Sequence, residues 1–154
     1  MKLAALLVSS VALVGIAHAD LSRGVIAAYR GQIVITKEDL PEGKNDKDTI
    51  TKINAARVKS LDGKVNDEVT QWSFHYTAFL KTTGSANMKL EFYTKDKNQL
   101  SANQSLSGVD PKNAVISGDI SISEDEGLTK GKTYVVKLES DKGTVVAETE
   151  LTFK

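Results

Sequence analysis

Beyond its first twenty residues the chain is dominated by alternation of apolar and polar positions. Along Val69 to Leu80, the side chains Trp72, Phe74, Tyr76, Ala78 and Leu80 fall on one side, with Ser73, His75, Thr77 and Phe79 on the other. This period of two is that of a strand with one face on a core. Thr82-Thr83-Gly84-Ser85 reads as a turn, and Met88, Leu90 and Phe92 then alternate with Lys89, Glu91 and Tyr93. The two segments read together as a hairpin at the centre of the core. Gly31 to Thr36 reads as an earlier strand, Leu100 to Leu106 as a weaker one, and Ile116 to Ile122 as another beyond Asp110-Pro111. Tyr134 to Glu139 and Val145 to Phe153 close the chain as a hairpin across Asp141-Lys142-Gly143. Helical spacing shows in Ile50, Ile53 and Ala56, with Asp46 or Asp48 available as N-cap, so a short helix is expected near residues 48-58. Ala55, Arg57 and Lys59 read equally well as the start of a strand. The rest of Lys37 to Glu68, with Pro41, Gly43 and Asp62-Gly63, reads as loop and turn.

The first nineteen residues set the compartment. Lys2 is a positive start, Leu3 to Ile16 is apolar, and Ala17-His18-Ala19 offers small residues where a signal peptidase reads. The apolar run is shorter than the roughly 20 residues that span a bilayer. Residues 1-19 are therefore expected to be a removed export signal. Residues 20-154 then form the mature domain, of single-domain length, exported to the periplasm or secreted further.

Composition adds mostly exclusions. Cysteine is absent, which removes thiolate metal sites, thiol catalysis and a cysteine-borne lipid from the expectations. A domain of this length buries enough surface to be stable without disulfide staples. The formal net charge is zero, with acids and bases interspersed, so the clustered basic face that nucleic acid requires is not expected. No second apolar stretch is long enough to span a membrane.

Ahead of the final hairpin stands Leu128-Thr129-Lys130-Gly131-Lys132-Thr133-Tyr134. It resembles the Leu-x-x-Gly-x-x-Tyr corner of fibronectin type III and related immunoglobulin-like sandwiches. There a leucine plugs the end of the core, a glycine permits the reversal, and a tyrosine hydroxyl bonds back to upstream backbone. The likeness covers the corner and the last hairpin, about the final quarter of the chain. It implies an all-β, immunoglobulin-like antiparallel β-sandwich, in which Trp72 would suit the buried core tryptophan. Such domains have about 100 residues, and Lys37 to Glu68 is the expected place for the excess. The fold itself assigns no function.

Candidate chemistry is sparse. With His18 in the signal, His75 is the sole histidine of the expected mature chain, so a Ser-His-Asp machine would have to use it. No Gly-x-Ser-x-Gly elbow accompanies it, and a rim histidine on a strand is the simpler reading. A histidine-based zinc site fails by ligand count. Glu124-Asp125-Glu126, with Asp119 before it, is the densest acidic cluster, but it lacks the spaced ladder and central glycine of a calcium loop. A solvated acidic loop is favoured over a calcium site. Nothing marks two of the acids as a facing pair for glycoside hydrolysis. Asn103-Gln104-Ser105 matches a glycosylation sequon, meaningful only in a host with that machinery.

His75, Phe79 and Tyr93 make a candidate binding patch on the outward faces of the two central strands, able to stack on sugar rings or partner side chains. The competing reading packs Phe79 and Tyr93 against Ile50 and Ile53. The expectation is an exported, non-enzymatic binding or structural module, without cofactor, for a protein or glycan of the cell envelope. A carbohydrate-binding module using the aromatic patch is the alternative, and a small hydrolase comes third.

Overall fold

A computed structural model describes residues 21–154. The export signal expected over residues 1–19 lies outside them. Among the described residues, two α-helices and nine strands follow one another as α1 (Arg23–Tyr29), β1 (Ile33–Thr36), α2 (Asp46–Ala56), β2 (Ser60–Leu61), β3 (Lys64–Asn66), β4 (Val69–Phe79), β5 (Met88–Thr94), β6 (Leu100–Leu106), β7 (Val115–Ser123), β8 (Thr133–Ser140) and β9 (Val145–Phe153). The strands form two mostly antiparallel sheets packed as a β-sandwich. In the first sheet β7 runs along one edge of β4, while β1 and β3 share the other edge, β1 against Ala78 to His75 and β3 against Gln71 to Val69. The second sheet has the order β2-β9-β8-β5-β6, with β2 parallel to β9.

The core follows from the alternation. Trp72, Phe74, Tyr76, Ala78 and Leu80 point between the sheets and meet Met88, Leu90, Phe92, Tyr134, Val136, Leu138, Leu151 and Phe153. Phe153 is the hub: its ring lies 5.2 Å from that of Trp72, 5.7 Å from Tyr134 and 6.0 Å from Phe92, each edge to face. Such pairs are worth about 0.5–1.5 kcal/mol beyond burial. The Trp72 indole donates to the Lys154 carbonyl at 2.9 Å, so the only tryptophan anchors the C-terminus.

The Leu128–Tyr134 corner closes this core. Leu128 and Tyr134 are buried, and the Tyr134 hydroxyl accepts from the Thr129 amide at 2.8 Å. Gly131 stands at φ +84°, a left-handed conformation that glycine adopts without the penalty of a Cβ.

A second, smaller core lies on the outer face of the first sheet. Val34, Phe79 and Val115 of that face pack against Val25 and Tyr29 of α1, Ile53 of α2, and Leu40 of the connecting loop. This explains why β4 is buried on both faces from Phe74 onward. The two helices are pinned together: Ser22 caps α1 by accepting from Val25, and its hydroxyl donates to Asp46 at the start of α2.

Several expectations change here. Segments Val69 to Leu80 and Met88 to Tyr93 are strands but not a hairpin. Residues 80–87 carry the chain from one sheet to the other, so β4 pairs with β7 and β5 with β6 and β8. Helix α1 was not foreseen, because Val25 and Tyr29 are its only buried positions and give too short a periodic signal. The N-cap of α2 is Asn45, not Asp46 or Asp48; it accepts from Asp48, which leaves both acids in the first turn, where the helix dipole favours them. The turn stretch Ser60 to Glu68 holds the short strands β2 and β3, and within it the chain reverses at Asp67-Glu68.

Candidate functional site

At the end of the sandwich where the chain enters β1, helix α1 stands beside the 80–87 and 107–114 connections. The space between them is a cleft of about 750 Å³, inside the range of roughly 300–1,000 Å³ usual for small-molecule sites. Its apolar floor is Ile26 and Ala27 of α1 with Leu80, Pro111 and Ala114. Four cations line it, Arg23, Arg30, Lys81 and Lys112, and among the described residues no acid does. The Arg30 guanidinium is held by donating to the Lys81 carbonyl at 3.0 Å, which leaves further N–H groups for a ligand. None of the four forms an ion pair among the described residues. In a chain of zero net charge, a cleft with four cations and no carboxylate is a local excess that draws anions.

On the outer face of the second sheet a smaller hollow of about 480 Å³ includes Lys89, Glu91, Glu139 and Asp141. Glu91 is buried and accepts from the Tyr93 hydroxyl at 2.7 Å. That bond pushes the Tyr93 phenol up to about 12. The adjacent Glu91 carboxyl, with burial, raises Glu139 above the ordinary glutamate range, against the pull of Lys89 and Lys137.

The candidate patch of His75, Phe79 and Tyr93 does not form. Phe79 is fully buried under α1 and α2, at 5.2 Å from the Tyr29 ring, and His75 is only 5% exposed. Tyr93 lies in the other sheet, half-buried, with the Lys137 ammonium 4.6 Å above its ring. The cause is the pair of helices on the outer face of β4, together with the passage of β5 to the second sheet. Of the competing packing, Phe79 does join the cluster of Ile50 and Ile53, whereas Tyr93 does not.

His75 has instead two acids beside it. Its Nδ1 lies 2.9 Å from Asp119 and 3.6 Å from Asp39. Its Nε2 is buried without a hydrogen-bond partner among the described residues, so no Ser or Thr hydroxyl stands where a nucleophile would. Asp119 thus belongs with His75 rather than with Glu124–Glu126. In that acidic stretch two carboxylates are already engaged: Glu124 accepts from the Thr70 amide, which holds its pKa low, and Glu126 accepts from the Ser123 amide. Among the described residues, no group of three or more His, Asp or Glu is placed to hold a metal ion, and no helix is long and apolar enough to cross a membrane.

The cleft cations escaped the sequence because they are spread from Arg23 to Lys112 and share no motif; only the topology joins them. No family model matches the chain, and neither a curated protein nor a solved structure does.

Proposed function

We propose that the chain is an exported, non-enzymatic binding module that takes a component of the cell envelope into the cleft beside α1. The cleft carries this reading: it is concave, of ligand size, floored by apolar side chains and rimmed by cations without ion-pair partners among the described residues. Export rests on the Lys2, Leu3 to Ile16 and Ala17-His18-Ala19 pattern. An immunoglobulin-like assignment draws support from the Leu128–Tyr134 corner and from the strand order. β4 pairs with β7 in one sheet, and β5, β8 and β9 adjoin in the other, much as strands B and E oppose C, F and G in such domains. Loops and short elements at the end of a rigid sandwich are where these folds place recognition.

The test is co-sedimentation of residues 20–154 with envelope from the native host, before and after protease treatment of that envelope. Ala27 projects into the cleft from an exposed position, so Ala27→Trp fills the space with little effect on the core. The native protein is expected in the pellet and the variant in the supernatant, with equal melting temperatures. Equal retention of both proteins would remove the cleft from the function. Survival of retention after protease would mark the ligand as a glycan or lipid, its loss as a protein.

A further inference from the structure

We propose that the cleft beside α1 recognises a phosphate group carried on an apolar body, either as a soluble phosphate ester or as a lipid headgroup; this deepens the binding reading above and rests on it. Four cations line one cleft, with no carboxylate among the described residues that line it. A single carboxylate would neutralise less of that charge than a phosphate, which at neutral pH carries up to two charges and offers three terminal oxygens. Two of the four are arginines, whose planar forks match phosphate oxygens two at a time. Arg30 is already oriented by its bond to the Lys81 carbonyl, which lowers the entropy lost when it engages a ligand. Lys81 lies two residues past the end of β4 and Lys112 sits in the 107–114 connection, so the cations approach from separate elements. The apolar lining of Ile26, Ala27, Leu80, Pro111 and Ala114 would be wasted on an inorganic ion. It suits a short hydrocarbon chain.

Arg23 and Lys112 are the residues to test. Both are exposed, and their side chains make no hydrogen bond or ion pair among the described residues. Arg23 opens α1, where an acid is favoured by the helix dipole, so the charge reversal Arg23→Glu combined with Lys112→Glu should leave the fold intact. Hexyl phosphate, hexanol and inorganic phosphate are titrated into the native domain and the double variant by calorimetry. Vesicles of phosphatidylcholine with and without phosphatidic acid are floated with the same proteins. Hexyl phosphate is expected to bind at least tenfold more tightly than hexanol or inorganic phosphate, and the double variant to lose at least tenfold of that affinity. Flotation only with phosphatidic acid, abolished in the double variant, assigns the phosphate to a lipid headgroup; binding of hexyl phosphate without flotation assigns it to a soluble ester. No response to either probe, or one that the double variant keeps, overturns the phosphate assignment. If the Ala27→Trp protein then still loses envelope retention, the ligand class alone has failed and the cleft stands as the binding site. Retention by Ala27→Trp means the binding reading has failed as well.

Discussion

At the scale of single residues, electrostatics on the outer face of the second sheet gives the sharpest expectation. Glu139 lies beside Glu91, and the raised pKa of Glu139 means that the folded protein holds its proton more tightly than the unfolded chain does. The stability contributed by that proton is complete below the unfolded pKa of an ordinary glutamate and is lost as pH rises through the higher folded value. Above it the two carboxylates repel, only partly relieved by Lys89 and Lys137. Glu139→Gln keeps the neutral shape at every pH. Its melting temperature should therefore exceed that of the native protein at pH 7.5, with the difference shrinking towards zero at pH 4. A difference independent of pH, measured by calorimetry across that range, would show that Glu139 holds its proton no more tightly in the folded state than in the unfolded chain. The same scale shows why His75, Phe79 and Tyr93 misled as a set. Alternation assigns each side chain to a face of its own strand but does not reveal what covers that face.

Elements were legible where their periodicity ran long. β4, β5, β8 and β9 and the helix α2 stand close to their expected places, because each carries several buried positions at its own spacing. The short elements escaped: α1 has two buried residues, and β3 has none. The β3–β4 reversal falls within the expected turn stretch Ser60 to Glu68, but its residues carry no turn signature. Asp67 and Glu68 sit at φ +49° and +69°, the left-handed pair of a two-residue hairpin turn that usually advertises itself as Asn-Gly or Asp-Gly. Asp62-Gly63 has that signature but lies where Gly63 serves another need: a Cβ there would stand 2.8 Å from the Trp72 indole nitrogen. Glutamate in the left-handed region costs roughly 1 kcal/mol or more relative to glycine. Glu68 is exposed, so Glu68→Gly should relieve that strain and raise the midpoint of urea unfolding without changing its slope. A lowered midpoint would mean that the extra freedom glycine gives the unfolded chain outweighs the strain relieved.

Across the whole molecule, β4 belongs to two cores. Its Trp72, Phe74 and Tyr76 fill the space between the sheets, while Phe79 on its other side meets the helices. Pairing along the full length of β7 stiffens this shared strand. The cleft depends on that arrangement, since α1 forms one of its walls and Leu80, directly after β4, forms part of its floor. Sequence alone could not assemble it, because Arg23, Lys81 and Lys112 meet only once the helices have docked on the sheet. If the two cores are coupled through β4, damage to the helical one must be felt in the other. Ile53 is fully buried in the helical core, and Ile53→Ala should cost about 2–5 kcal/mol, lowering Tm on the order of 10 °C. Trp72 reports from the opposite core as the sole tryptophan. Its fluorescence transition should therefore shift by the same amount as the far-ultraviolet dichroism transition, both remaining single and coincident. If the dichroism shifted while the Trp72 transition stayed in place, the helices would be an appendage that melts from an intact sandwich, and the cleft would be lost at temperatures where the sheets survive. Coincident shifts would instead make the cleft as durable as the sandwich, because the strand that supports it cannot release one core without the other.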